Sequence, residues 1–112
     1  VPVLFNSDYT GTDWSFFYGM YAAITRKMAD GTPDGGWYPE QALTAEEALR
    51  AYTYWPAFAS GREHLTGTIK PGKWADLTVM DIDPLNASPD ELLGGQVLMT
   101  IVAGKVAYEI QN

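Results

Sequence analysis

The order of the sequence patterns predicts an α+β protein. A short apolar run opens the chain, two segments with apolar residues at helical spacing follow, and strand patterns with a hairpin fill the last third. The 112 residues, of which 46% are hydrophobic and 19% charged, have the composition of a single globular unit. A chain of this size can bury about two-thirds of the surface that it exposes when unfolded, so a packed core is expected.

Charge and cysteine content exclude several classes of protein. The chain carries 7 basic and 14 acidic residues, a net charge of −7. Without a basic stripe, nucleic-acid binding loses its main source of affinity, and an acidic surface repels anionic lipid headgroups. We therefore expect neither nucleic acid nor membrane as a partner. The absence of cysteine excludes disulfide scaffolds and thiolate zinc sites; it fits a cytoplasmic protein and is compatible with a cysteine-free extracellular domain.

Two further features of the composition bear on location and metal binding. No apolar run approaches the ~20 residues that span a bilayer, and the chain opens on Val1-Pro2-Val3 without a secretory leader. The only imidazole belongs to His64. A multi-histidine metal site cannot be completed from this chain alone.

The first element is predicted to be a buried strand. Residues 1–6 form a nearly continuous apolar run, which suits a strand covered on both faces, as in a parallel sheet or barrel. Pro2 fits only near the beginning of such a strand. Asn6-Ser7-Asp8 follows at its carboxyl end, and by position alone Asp8 is better explained as a turn or strand-end carboxylate.

The second element is predicted to be a helix over residues 14–28, with Thr12 or Asp13 as its N-cap. Apolar residues lie on two of its faces, which indicates a helix covered on two sides. One face comprises Trp14, Phe17, Tyr18, Tyr21 and Thr25, and the other Phe16, Met20 and Ile24. A central helix in a small α+β domain is the alternative explanation.

A turn-rich loop and a second helix follow. Residues 30–43 are long enough to line a site, and Trp37 and Tyr38 are the aromatic residues in it that are plausible substrate contacts. Thr44 and Glu47 form a capping box. The helix after it carries an apolar stripe and should kink or stop near Pro56, which lacks the N–H that a helix needs; the stripe is Ala45, Ala48, Leu49 and Tyr52.

The last third is predicted to be mainly strands. Residues 70–73 have Pro and Gly where a type II turn prefers them. Residues 75–81 alternate as in a strand, and residues 88–92 begin a short helical turn. Strands at 97–102 and 105–110 flank Ala103-Gly104, a hairpin pattern.

Taken in order, these segments resemble the C-terminal part of the amidohydrolase superfamily, in its amidohydrolase 3 branch (YtcJ-like, related to D-aminoacylases). The two most specific stretches are QALTAEEAL at residues 41–49 and GTIKPGKWADL at residues 67–77. Asn6-Ser7-Asp8, Ala22 to Arg26 and the closing hairpin at residues 100–108 also match. The chain departs from the family in reading Asn6 where many relatives have glycine, and in Tyr54-Trp55-Pro56, which replaces small residues.

The resemblance implies a specific fold class: an α+β fragment, made of the last strand and outer helices of a (β/α)8 TIM-like barrel plus the C-terminal part of a small β-sandwich. Residues 1–65 would be the end of the barrel and residues 66–112 the share of the sandwich. The helix with two apolar faces is what a barrel-covering helix without its barrel would look like.

The resemblance also implies a role for Asp8. This residue matches the aspartate that the family places at the end of the last barrel strand, where such barrels have their active sites. There it would be a catalytic residue and metal ligand, shuttling a proton from the nucleophile to the leaving group. The cofactor would be a divalent metal, zinc, in the full-length parent. Its other ligands would lie upstream of Val1, so no metal is expected on this chain alone.

Other candidate residues have simpler explanations. Asp13 could pair with Asp8 as the two carboxylates of a glycosidase, but is better explained as a helix cap. His64 lies in a polar stretch at a helix end and is expected to be solvated. An acidic run lacks the 12-residue EF-hand pattern and is expected to protect a strand edge and form a turn; it comprises Asp76, Asp81 and Asp83.

Two functions follow as hypotheses. The first is the C-terminal portion of a metal-dependent amidohydrolase that acts on small amide-type substrates and is inactive without the rest of its parent. It would associate with the missing N-terminal part or form a homo-oligomer, because its apolar surfaces need cover. The second is a non-catalytic acidic α+β module that binds a small ligand through its Gly/Trp loop.

Overall fold

The computed structural model describes residues 1–9 and 15–111. In this part of the chain four helices and three strands form. The helices are α1 (Phe16–Thr25), α2 (Ala45–Tyr52), α3 (Tyr54–Ala59) and α4 (Pro89–Leu92), with a 3-10 turn at Pro39–Gln41 before α2. The strands are β1 (Leu77–Met80), β2 (Val97–Val102) and β3 (Lys105–Glu109). The predicted α+β class is confirmed.

Helix α1 is shorter than the sequence predicts at both ends. It begins after Ser15, whose hydroxyl accepts a hydrogen bond from the Tyr18 N–H. It ends at Thr25 because Arg26 takes the left-handed conformation, with φ +60°. The predicted cap residues Thr12 and Asp13, with Trp14, lie outside the described residues, and Ser15 takes the N-cap position instead.

The capping box that opens α2 is confirmed. The Thr44 hydroxyl accepts from the Glu47 N–H at 3.2 Å, and the Glu47 carboxylate accepts from the Thr44 N–H at 2.9 Å. These hydrogen bonds to Thr44 hold the pKa of Glu47 below its usual value. Helix α2 stops at Tyr52, and α3 resumes at Tyr54. The predicted interruption near Pro56 therefore falls at Thr53, since the proline ring would clash with the Tyr52 carbonyl in a continuous helix.

The core is small and lies between α1, α2 and α4. Its fully packed members are Met20, Tyr21, Ala48 and Leu92. Tyr21 lies on one of the predicted apolar faces of α1 and Met20 on the other. Both are buried, so the two-sided burial of this helix is confirmed. Leu92 comes from the segment predicted as the sandwich domain, yet it packs against helices of residues 1–65. The domain boundary itself stays a prediction.

The strand predicted at residues 1–6 is wrong for this structure. Residues 1–8 have no regular secondary structure, and Val1, Val3 and Leu4 are exposed. One backbone hydrogen bond, from the Phe5 N–H to the Ala51 carbonyl at 3.0 Å, ties the segment to α2. A strand buried on both faces needs neighbouring strands and covering layers, and the described chain has a single sheet elsewhere.

That sheet is antiparallel with strand order β1-β2-β3. The predicted hairpin joins β2 to β3 through Ala103 (φ +49°) and Gly104 (φ +77°), as a tight hairpin turn requires. The register pairs Leu77 with Ile101 and Ile101 with Val106. One face is therefore almost entirely apolar, and we call it the apolar sheet face; it comprises Leu77, Val79, Met99, Ile101 and Val106. Within the described chain the strands contact mainly one another.

No helix within residues 1–9 and 15–111 has the length and apolar character that crossing a membrane requires.

Core packing makes a stability prediction at two neighbouring leucines. Leu92 is fully buried, whereas Leu93 is 38% exposed. Leu92→Ala should lower the free energy of unfolding by about 2–5 kcal/mol, because it removes buried methyl groups and leaves a cavity. Leu93→Ala should cost under about 1 kcal/mol. Chemical denaturation of the protein measures both values, and equal losses would contradict the described core.

Candidate functional site

Asp8 lies on an exposed left-handed turn. Its φ is +46°, a region that Asp and Asn tolerate better than other residues with a side chain, and its N–H donates to the Asn6 side-chain oxygen at 2.8 Å. Behind it, Phe5 is held by its hydrogen bond to Ala51 and by edge-on contact with the Tyr52 ring at 5.3 Å between centroids. The structure thus anchors the segment at Phe5 and leaves Asp8 exposed beyond it.

The described residues do not form a metal site around Asp8. Nowhere in the described ranges do three or more His, Cys, Asp or Glu side chains come together as a metal centre would require. A catalytic zinc commonly takes three protein ligands, and Asp8 would supply one. The donor set of this part of the chain therefore does not fit a complete metal centre.

Trp37 is held against the end of α1 by three contacts with Arg26. The Trp37 N–H donates to the Arg26 carbonyl at 2.8 Å, and Arg26 Nε donates to the Trp37 carbonyl at 3.0 Å. The guanidinium also lies over the indole ring, 5.3 Å from its centroid, as in a cation–π contact. Arg26 was not a predicted site residue. Its sequence signals are its place in the family-like stretch from Ala22 to Arg26 and its position between an apolar helix and a Gly/Pro loop.

Tyr38 and Gly36 complete this arrangement. The Tyr38 ring meets Trp37 edge to face, with centroids 4.8 Å apart and planes at 87°. Gly36 has φ +86°, and a Cβ there would overlap the Thr25 carbonyl oxygen. Only glycine lets the loop approach the helix end this closely. Both predicted aromatic residues are largely exposed, with Trp37 61% accessible.

An open groove of about 360 Å³ lies beside Trp37. Its lining combines apolar side chains with two cations, and comprises Ala22, Arg26, Lys27, Met28, Pro33 and Trp37. We call it the Trp37 groove.

The Trp37 groove and the Asp8 segment are anchored at opposite ends of α1. The Phe5 segment reaches the first turn of the helix, because the Tyr52 ring contacts both Phe5 and Phe16. Trp37 instead joins Arg26, just past the last turn. At 1.5 Å per residue, Phe16 and Arg26 at the two ends of the helix are about 15 Å apart. Among the described residues no hydrogen bond, ion pair or ring contact links Asp8 to Trp37 or Tyr38, and their predicted substrate-binding role stays a prediction.

The carboxylates of the acidic run accept hydrogen bonds that support the sheet and a turn. Asp76 and Asp81 each accept a backbone N–H at 2.7 Å, from Ala103 and Gln96, and so brace the sheet. Asp83 accepts from Leu85 and Asn86 in a turn, and these hydrogen bonds, led by that from the Asn86 side chain, lower its pKa. The predicted turn is confirmed. His64 is exposed.

Lys73, within the GTIKPGKWADL stretch, has a structural task that the sequence did not reveal. Its ammonium donates to the carbonyls of Glu63 and Thr66 and to the Thr68 hydroxyl. The turn before it is the predicted one, with Gly72 at φ +88° and the Lys73 N–H donating to the Lys70 carbonyl. This turn therefore positions the Lys73 ammonium so that its hydrogen bonds hold the segment that leads from α3 to the sheet.

A family model described as the amidohydrolase family matches residues 1–108. The chain belongs to the amidohydrolase family. It is 46% identical over 90 residues to an N-substituted formamide deformylase of Arthrobacter pascens, covering 80% of this chain. It is 29% identical over 91 residues to the putative amidohydrolase YtcJ of Bacillus subtilis, covering 81% of this chain. The predicted resemblance to the amidohydrolase 3 branch is confirmed.

Other relatives extend the comparison. A 5-methylthioadenosine/S-adenosylhomocysteine deaminase of Symbiobacterium thermophilum is 32% identical over 96 residues, covering 78% of this chain. The crystal structure of an amidohydrolase from Thermotoga maritima superposes with a TM-score of 0.54 at 27% identity, over 63% of this chain and 17% of that one. This amidohydrolase chain spans 16%, 17% and 20% of the deformylase, YtcJ and the deaminase, respectively.

The loop contact makes a prediction at two adjacent glycines. Gly35 and Gly36 both have positive φ, but only at Gly36 would a Cβ meet other atoms. Gly36→Ala should therefore lower the free energy of unfolding by about 1–3 kcal/mol more than Gly35→Ala, because the new methyl group pushes the loop off Thr25. Near-ultraviolet circular dichroism would report the displaced Trp37 ring. Indistinguishable variants would show that the loop does not pack closely on α1.

Proposed function

We propose that this chain is the C-terminal part of a metal-dependent amidohydrolase that hydrolyses C–N bonds of small amide-type molecules other than ordinary peptides. The family match across residues 1–108 carries the proposal. The names of two relatives add support, since deformylation of an N-substituted formamide and deamination both break a C–N bond. The deformylase is 46% identical over 80% of this chain, so N-substituted formamides are the first substrates to test.

In this proposal Asp8 is the proton-transferring group. Its carboxylate is exposed on a turn and is free to approach a bound substrate. It takes a proton from the attacking water as the oxygen bonds to the amide carbon, and passes that proton to the nitrogen as the C–N bond breaks. The products are a carboxylic acid and an amine. One group thus serves as base and then as acid.

The proposed metal would be held mainly by residues outside this chain. Amidohydrolases generally use divalent metals, and we propose zinc here. Because the described residues do not complete a metal centre, its ligands would come mainly from outside this chain, with Asp8 as the one ligand inside it. We accordingly expect the 112-residue chain by itself to be inactive.

The proposed architecture explains the exposed apolar surface. Residues 1–65 would close a (β/α)8 barrel, in which Val1, Val3 and Leu4 gain neighbouring strands. Residues 66–112 would add the apolar sheet face to a small β-sandwich. Val79 and Val106 on this face are 41% and 57% exposed, which supports a missing layer. The layer would come from the rest of the parent chain, and a homo-oligomer is the alternative source.

A non-catalytic module that binds a small ligand is the second candidate function. The Trp37 groove favours it, because the groove combines an exposed indole with two cations and lies at the end of α1 opposite to the Phe16 end. A substitution at Asp8 separates the two functions, since a binding module does not need this carboxylate.

Asp8→Asn in the full-length protein tests the proposed chemistry. We expect kcat for an N-substituted formamide to fall by about 10²- to 10⁴-fold, because the amide side chain cannot transfer the proton. Quantifying the released amine measures the rate. Asp34→Asn is the matched control, since Asp34 is also an exposed loop carboxylate and should leave kcat unchanged. Full activity of Asp8→Asn would exclude the assigned role.

A charge on the apolar sheet face tests the proposed architecture. Val106 lies on this face, and Tyr108, with similar exposure, lies on the opposite one. In the full-length protein Val106→Asp should cost about 2–4 kcal/mol of stability, because it buries a carboxylate among apolar side chains. Tyr108→Asp should cost distinctly less. Denaturant unfolding measures the difference, and the reverse order would mean that the apolar face stays in water.

A further inference from the structure

The Trp37 groove gathers two cations in a strongly acidic chain. Arg26 and Lys27 are neighbours in the sequence, and both line the groove. They are two of only 7 basic residues, in a chain with 14 acidic ones. Their position past the end of α1 complements the partial negative charge of a helix C-terminus, but that role needs neither a groove nor an indole.

Neither cation is neutralised within the described residues. The one ion pair found there joins Arg50 to Glu46. Arg26 uses Nε for the Trp37 carbonyl, and the terminal nitrogens of its guanidinium make no hydrogen bond to the described part of the chain. The Lys27 ammonium likewise has no acceptor there. A planar guanidinium with unused donors matches the two oxygens of a carboxylate, and Lys27, which also lines the groove, adds a second positive charge.

The remainder of the groove wall is apolar and held in place. Met28 and Trp37 are 54% and 61% exposed, and Pro33 and Ala22 complete the apolar lining. The loop is fixed by hydrogen bonds from the Trp37 N–H to Arg26 and from the Met28 N–H to Thr32, each at 2.8 Å. An apolar ligand body would find a surface that is already formed, which lowers the ordering cost of binding.

We propose that the Trp37 groove binds a small carboxylic acid with an apolar or aromatic body. The carboxylate lies on Arg26 and Lys27, and the body lies on Trp37 and Met28. The volume of about 360 Å³ suits a molecule of the size of a substituted acetate. This site is separate from the Asp8 segment, and the proposal does not depend on the chemistry assigned to Asp8.

Calorimetric titration of the full-length protein with phenylacetate tests the proposal. Saturable binding is expected for phenylacetate, and at least tenfold weaker binding for acetate, which lacks the body, and for 2-phenylethanol, which lacks the charge. Lys27→Gln should weaken phenylacetate binding about tenfold, equivalent to roughly 1.4 kcal/mol. Arg26→Gln should weaken it more, since it also removes the contact with Trp37.

Lys105→Gln is the matched control, because it removes an equal charge from an exposed lysine on β3, far from the groove in sequence and fold. It should leave phenylacetate affinity unchanged. The Lys27 variant decides the outcome, since this side chain makes no described contact that the loop needs for folding. Absence of saturable binding, equal binding of 2-phenylethanol, or phenylacetate affinity that survives Lys27→Gln would each overturn the proposal.

Discussion

The fold depends on one small cluster of side chains, in which Met20 and Tyr21 of α1 meet Ala48 of α2 and Leu92 of α4. This cluster joins the helices to the segment that carries the sheet. It is modest for a chain of 12.3 kDa: the accessible surface is 7715 Å², whereas surface scaling gives about 6,100 Å² for a compact monomer of this mass. Many large hydrophobic side chains are exposed, among them Val1, Trp74 and Val106. Much of the hydrophobic area therefore has no partner among the described residues.

That limit on burial explains which sequence predictions held. The Thr44–Glu47 capping box, the Pro71-Gly72 turn and the Ala103-Gly104 hairpin are fixed by hydrogen bonds and backbone preferences within a few residues, so a local pattern suffices. The strand at residues 1–6 needs neighbouring strands that the described chain lacks, and its apolar pattern alone does not form it. The start of α1 was misplaced because several polar residues precede it and the sequence does not say which one caps it.

The candidate site likewise contains some residues that the sequence could single out and one that it could not. Asp8 could be singled out through family resemblance, because its place at the end of an apolar run has an ordinary explanation as a turn. Trp37 and Tyr38 could be singled out from composition, since aromatic side chains in a Gly/Pro loop are rarely core residues. What the sequence could not reveal was Arg26, whose role arises only when φ at this residue turns positive and directs the loop back onto the helix. The hydrogen bonds that follow, from the Trp37 N–H to the Arg26 carbonyl and from Arg26 Nε to the Trp37 carbonyl, are tertiary contacts.

In the stretch that identifies the family most specifically, the contacts that the structure shows are structural. In GTIKPGKWADL, Gly67 has φ +84°, and a Cβ there would approach Ala57 of α3 to 2.6 Å. Gly72 forms the turn, and Lys73 ties the segment to three oxygens. The two glycines allow backbone conformations with positive φ, and Lys73 donates to backbone carbonyls. Few other residue types could replace them in these positions. Asp8, the residue proposed to transfer the proton, instead lies in a segment without regular secondary structure. Sequence similarity is therefore strong evidence for how this chain folds, whereas the role proposed for Asp8 has to be argued from an exposed carboxylate on a turn.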